Sequence, residues 1–161
     1  MDYNKLYINF NKPGGPVGIL ISLWTLGKYS HVEFVYNNYV YLSNPGGVRV
    51  KPFKNKKNFD IFEVDESVDP KAVIEFFKST KGKGYDYLGI LGQFFYARKI
   101  QVNEKYFCSE FCLNALDYAK NFTLEDNGKK ISDKRNYAYS PNRLFKYLKK
   151  IKLIKGGKVN V

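Results

Sequence analysis

Tyr106-Phe107-Cys108-Ser109-Glu110-Phe111-Cys112-Leu113-Asn114-Ala115-Leu116-Asp117-Tyr118 is the stretch around which the rest of the chain can be read. Phe107, Phe111, Ala115 and Leu116 recur at helical spacing, and Cys112 and Ala119 join them, so the run reads as an amphipathic helix beginning near Cys108. The first backbone N–H groups of a helix have no partners within it and carry a partial positive charge, both of which favour a thiolate over a thiol. Cys108 therefore stands where a nucleophile is expected.

A thiolate nucleophile needs a base, and the chain has one histidine. His31 opens His-Val-Glu-Phe-Val-Tyr, a run rich in β-branched and aromatic residues that reads as a strand. Alternation along a strand places His31 and Glu33 on one face, and an imidazole beside a carboxylate is the arrangement that fixes the tautomer of a base. Cys108, His31 and an orienting polar group form the candidate site.

Tyr29-Ser30-His31-Val32-Glu33, followed far downstream by Tyr106-Phe107-Cys108-Ser109-Glu110, resembles the circularly permuted papain-like cysteine hydrolases. That branch includes YiiX-like amidases and peptidases, phage and poxvirus relatives and the lecithin retinol acyltransferase group. As in that group, the histidine strand precedes the cysteine helix. The resemblance spans roughly residues 15 to 148, and the Gly84-Tyr85-Asp86-Tyr87 segment and the Ser140-Pro141 pair are similar too. The resemblance implies an α+β, permuted papain-like fold with a small antiparallel sheet packed against several helices. It also implies a third catalytic polar residue about one strand beyond the histidine. Ser43 lies twelve residues after His31 and Asn44 is next to it, but neither is the acid often found there. Glu33 is the first choice for the orienting group, with Ser43 or Asn44 as the alternative.

At 161 residues and 44% apolar composition, one domain with a real core is expected over 1–161, ending in a basic helix and tail at about 140–161. No stretch approaches the roughly 18 apolar residues of a membrane span, and Met-Asp-Tyr-Asn-Lys lacks the layout of a signal peptide, so a cytoplasmic site of synthesis is expected. Two cysteines four apart do not make a secreted disulfide framework. Cys108, Cys112, His31 and Glu33 could on paper supply four metal ligands, but structural zinc usually shows two closely spaced ligand pairs, and no metal or other cofactor is expected. The net charge of +12 is uneven: residues 128–161 hold eleven Lys or Arg against one acid, Asp133. Such a segment can track an anionic surface, whether cell wall, membrane or nucleic acid, or can be a plain solvated face.

Along the chain, Tyr3 to Phe10 reads as a strand ended by Lys-Pro-Gly-Gly-Pro. Residues 16–26 read as a short buried helix, and Asn37-Asn38 as a tight hairpin turn. Residues 39–42 form the returning strand, and Ser43 to Gly47 turn into the next. Phe59 to Val64 reads as a strand, and Asp69-Pro70 caps a helix whose Ala72, Val73, Phe76 and Phe77 form one face. A helix from Tyr85, with Leu88, Leu91 and Phe95 on one stripe, walls the cleft in the resemblance. Residues 121–136 read as a loop. Ser140-Pro141 caps a last helix with Leu144, Phe145, Leu148 and Ile151 inward and Lys146, Lys149 and Lys150 outward, after which the end is expected to fray.

The expected activity is cysteine-dependent hydrolysis of an amide or peptide bond, for instance in cell-wall peptides, through a thioester acyl-enzyme. The backbone N–H of Cys108 is the expected oxyanion donor, with Tyr29 or Tyr85 as possible helpers. Hydrolysis or transfer of a lipid or other acyl-ester group by the same residues is the alternative within the family. A non-catalytic basic module for nucleic acid or anionic surfaces is the alternative outside it. No zinc-finger or RNP-like signature supports that last reading.

Overall fold

The computed structural model describes residues 1–24, 26–85, 105–120, 124–126, 129–130, 139–157 and 159. The expected helix from Tyr85 through Phe95, including Leu88 and Leu91, lies outside the described residues apart from its first position.

The fold is mixed α+β. Five strands, β1 (Tyr7–Asn11), β2 (His31–Tyr36), β3 (Tyr39–Asn44), β4 (Gly47–Pro52) and β5 (Phe59–Glu63), form one sheet in the order β4-β3-β2-β1-β5, every neighbouring pair antiparallel. Helix α1 (Pro16–Trp24) follows β1, and α2 (Pro70–Thr80) follows β5. Two short strands, β6 (Gly84–Tyr85) and β7 (Lys105–Tyr106), pair in parallel and deliver the chain to α3 (Cys108–Tyr118). The hairpin β8 (Glu125–Asp126) and β9 (Lys129–Lys130) precedes α4 (Pro141–Lys150). Helix α3 packs on β2 and β3, with α2 and α4 beside it.

Strand alternation divides the core in two. Ile8, Phe10, Val32, Phe34 and Phe62 join Phe111, Leu113 and Leu116 of α3 and Leu144 and Leu148 of α4. Tyr7, Val35, Val40, Leu42 and Ile61 form a smaller cluster. Asn9, Asn11, His31 and Glu33 follow the alternation of Tyr7 and Val35, and they gather in register, Asn9 opposite Glu33 and Asn11 opposite His31.

The turns follow local chemistry. Asn37 and Asn38 both have left-handed backbones (φ 47° and 62°), which a two-residue hairpin requires and asparagine tolerates. Asp69 caps α2 through Lys71 N–H (2.8 Å), and the Ser140 hydroxyl caps α4 through Arg143 N–H (3.3 Å), each followed by proline in the first turn. Gly47 is fixed by a close approach: a side chain there would meet the Lys83 carbonyl oxygen at 2.5 Å, the same oxygen that accepts from Val48 N–H at 3.0 Å.

Several expectations are corrected. Residues 3–5 are a turn, not strand, because the Asp2 carboxylate and carbonyl accept from Asn4 N–H (2.9 Å) and Lys5 N–H (3.2 Å). Strand β3 runs on through Ser43 and Asn44, which pair with Val48 and Gly47. Within 121–136 a hairpin forms, and Leu124 is buried beside it. The C-terminal segment is bonded to the sheet edge through Lys155 N–H to Glu63 O (2.9 Å) and Val159 N–H to Ile61 O (2.8 Å). Helix α1 is not a buried core helix: Ile19 and Leu23 on it are exposed. Ser22 is its one polar side chain and no residue is charged, so the sequence offers no polar face to mark a solvent side.

Candidate active site

Cys108 is the first residue of α3, and the residue before it, Phe107, offers no side chain to cap the helix. The N–H groups of the first turn therefore have no capping side chain at the end where the sulfur sits. His31 is the first residue of β2, placed at the strand's end rather than over its middle. Its Nε2 lies 3.2 Å from the Glu33 carboxylate, and the Cys108 sulfur is near enough to act on its titration through charge and hydrogen bonding. With Nε2 committed to Glu33, Nδ1 is the nitrogen left for the sulfur.

Electrostatics favour a protonated His31. Burial by itself would lower the His31 pKa. The charge of Cys108 and the hydrogen bond to it, then the hydrogen bond and charge of Glu33, outweigh burial and push it up to about 10. The ring still keeps 19% of its surface exposed, so a reactant can approach it. Burial would raise Glu33, but the hydrogen bond and charge of His31, followed by donated hydrogen bonds from Asn9 and Asn11, bring it below the ordinary carboxylate value. Asn9 Nδ2 donates to Glu33 Oε1 at 2.7 Å and Asn11 Nδ2 to the same oxygen at 3.5 Å. A chain of Asn9, Glu33, His31 and Cys108 results, each member oriented by the one before it.

Cys112 is one turn along α3 and differs from Cys108 in chemistry. It is wholly buried, and burial first, then the charges of Cys108 and Glu33, push its thiol well above the usual range. Among the described residues no group of three or more His, Cys, Asp or Glu is arranged to hold a metal ion, so the four ligands conceivable on paper do not form a cage.

Ser43 shares the alternation of Tyr41, whose partner is Phe34, and so stands on the other side of the sheet from His31 and Glu33. Asn44 ends β3 opposite Gly47 and shares the alternation of His31 and Glu33, but its buried Oδ1 accepts no hydrogen bond among the described residues. Glu33, rather than either, is the group on His31. The Tyr29 hydroxyl donates to Asp60 Oδ2 at 2.9 Å, and burial, then the hydrogen bond and charge of Asp60, hold its proton more tightly than usual. That commitment removes Tyr29 as an oxyanion donor. The side chain of Tyr85 lies outside the described residues.

Sequence reasoning missed the clamp that brings helix and strand together. Asn142, at the start of α4, holds both sides of the Tyr29 backbone: Tyr29 N–H donates to Asn142 Oδ1 (2.9 Å) and Asn142 Nδ2 donates to Tyr29 O (2.8 Å). Three residues earlier, the Tyr139 carbonyl accepts a hydrogen bond from the buried Ser109 hydroxyl. Residues 139–142 thus grip the residue after Cys108 and the residue two before His31. The only signal in the sequence was the Ser140-Pro141 helix start, which says nothing of what Asn142 touches.

No protein-family model matches the chain, and no curated protein matches it.

Proposed function

We propose that the chain is a cysteine-dependent hydrolase of the permuted papain-like kind, an amidase or peptidase that works through a thioester acyl-enzyme. The observation that carries this reading is the half-buried imidazole of His31, set between Cys108 at the head of α3 and the Glu33 carboxylate. Histidine then cysteine in chain order, on a strand and then a helix, is the order of that group.

The chemistry follows from the pair. The Cys108 sulfur attacks the carbonyl carbon of an amide, and the electron pair of the C=O bond moves to oxygen. No side chain caps the first turn of α3, which leaves the Cys108 N–H as the donor that receives that charge in this reading. As the tetrahedral species collapses, the C–N bond breaks and the proton on His31 goes to the departing amine, leaving a thioester on Cys108. Water then gives a proton to His31 and its oxygen attacks the thioester carbon. The C–S bond breaks, the acid leaves, and the proton returns the pair to its starting state. Glu33 keeps the ring oriented throughout, and Asn9 keeps Glu33 in place. The same steps cleave an acyl ester, with an alcohol leaving.

Labelling the intact protein with a thiol-reactive probe built on an amide or ester tests the proposal. One adduct, at Cys108, that disappears in His31→Ala is the expected result. Equal labelling of Cys108 and Cys112, unchanged in His31→Ala, would remove the basis for a hydrolase.

A further inference from the structure

Helix α1 carries no charged residue along its nine positions, yet Ile19 is 51% and Leu23 68% exposed. The chain then turns at Leu26, which is 94% exposed with a left-handed backbone (φ 45°). A leucine rarely adopts that conformation. The turn is closed by Leu26 N–H to Leu23 O (3.2 Å) and Gly27 N–H to Ser22 O (3.0 Å), and the Ser22 hydroxyl donates to the Gly27 carbonyl. Ile19 and Leu23 lie one turn apart on α1, and Leu26 follows in the turn just past its end. Exposed apolar side chains scattered singly mean nothing, but three within eight residues mark a contact surface.

The border of this surface is cationic. Lys28, two residues past Leu26, has a side chain 53% exposed, and Lys28 and Lys12 share one carboxylate, Asp60, at 2.7 and 3.1 Å. Two ammonium groups on one acid leave a net positive charge there. The Asn142 clamp on Tyr29 brings up the start of α4, whose Lys146 and Lys149 are exposed. The chain as a whole carries +12, so a second copy placed against this surface would bring like charge to like.

We propose that α1 and the Leu26 turn dock on an anionic phospholipid bilayer. Ile19, Leu23 and Leu26 enter the acyl boundary, and Lys12, Lys28 and the α4 lysines lie at the headgroups. No described helix is long and apolar enough to cross a membrane, and nine residues suit a helix lying in the interface. Leu26 is five positions before His31 (31 − 26), so a docked bilayer adjoins the segment that leads into the site. The inference does not depend on the hydrolase reading.

The test is flotation of the full chain with vesicles of phosphatidylcholine alone and of phosphatidylcholine mixed with phosphatidylglycerol. Wild type and Cys108→Ser are expected to float with the mixed vesicles only. Leu23→Ser/Leu26→Ser is expected to bind at least about tenfold more weakly, since each substitution removes a leucine's worth of burial. Both substituted positions are exposed, so an unchanged far-ultraviolet circular dichroism spectrum checks that the double variant is folded. Three results would overturn the proposal: no flotation of wild type, flotation indifferent to the double substitution, or a wild-type dimer in solution that the double substitution dissociates.

Discussion

Asn9 and Glu33 are partners across β1 and β2, and the Asn9 amide donates to Glu33 Oε1 at 2.7 Å while the other carboxylate oxygen lies 3.2 Å from His31 Nε2. Asn9 therefore positions the residue that positions the base. Asn9→Ala is expected to leave a sulfur–imidazole pair that forms but wanders. Turnover falls by about tenfold to a hundredfold while the Michaelis constant changes little. A variant with unaltered turnover would show that Glu33 needs no help from β1.

The pH dependence has a definite sign. His31 is held at about 10 against an ordinary 6.5, so its proton is available to the leaving amine at neutral pH and is lost as pH rises through about 10. Cleavage of an amide is expected to decline across that upper range. Glu33→Gln removes a charge that raises His31, so the decline moves toward neutral pH. A rate profile identical in Glu33→Gln and wild type would detach Glu33 from the base.

Stability obeys the same linkage. A histidine raised above its unfolded value contributes stability that is fully present below 6.5 and is lost as pH rises through about 10. Glu33, lowered from 4.5, contributes stability present above that value and lost as pH falls through its folded one. The urea midpoint of wild type relative to the His31→Ala/Glu33→Ala double variant is therefore expected to be highest between about 5 and 6.5. A difference independent of pH would mean that the two groups do not interact in the folded chain.

Much of the scaffold was legible because it rests on local rules. The Phe107, Phe111, Ala115 stripe marked α3 to its first residue, the paired asparagines marked the β2–β3 hairpin, and Asp69-Pro70 and Ser140-Pro141 marked two helix starts. The alternation His31-Val32-Glu33 placed imidazole and carboxylate together. What stayed hidden depends on contacts between distant residues. Asn9 and Asn142 look like any polar residue until the fold brings them 24 and 113 positions away from their own, onto Glu33 and the Tyr29 backbone. Ser43 and Asn44 could not be told apart by an offset of about twelve, because only the two-residue hairpin decides that Asn44, and not Ser43, shares the alternation of His31. The exposure of α1 was unreadable for the same kind of reason: a helix without a charged residue fits a core and an exposed surface equally well.

The Asn142 clamp makes a prediction for a residue outside the pair. Asn142→Ala removes both hydrogen bonds to the Tyr29 backbone and should destabilise the chain by about 1–3 kcal/mol in urea unfolding. It should also lower turnover under conditions where the variant remains folded, because the strand entry that carries His31 is loosened. Full activity in a folded but destabilised Asn142→Ala would limit the clamp to stability.

The two thiols should separate cleanly. Cys112→Ala removes a buried, protonated thiol and is expected to cost about 1 kcal/mol of stability with activity retained. Cys108→Ala is expected to lower turnover by about three orders of magnitude or more in protein that remains folded, and to lose the stability that His31 owes to the sulfur. A loss of activity in Cys112→Ala matching that in Cys108→Ala would make the lower thiol part of the chemistry.

The central claim is that a single imidazole is paired with a single sulfur, and the presence of one histidine makes it directly measurable. Nuclear magnetic resonance of the His31 ring, followed through a pH titration in wild type and in Cys108→Ser, reads that pairing without any substrate. The account predicts an imidazole that stays protonated until about 10 in wild type and titrates at markedly lower pH once the sulfur is gone. An imidazole that titrates near 6.5 in both proteins would contradict it.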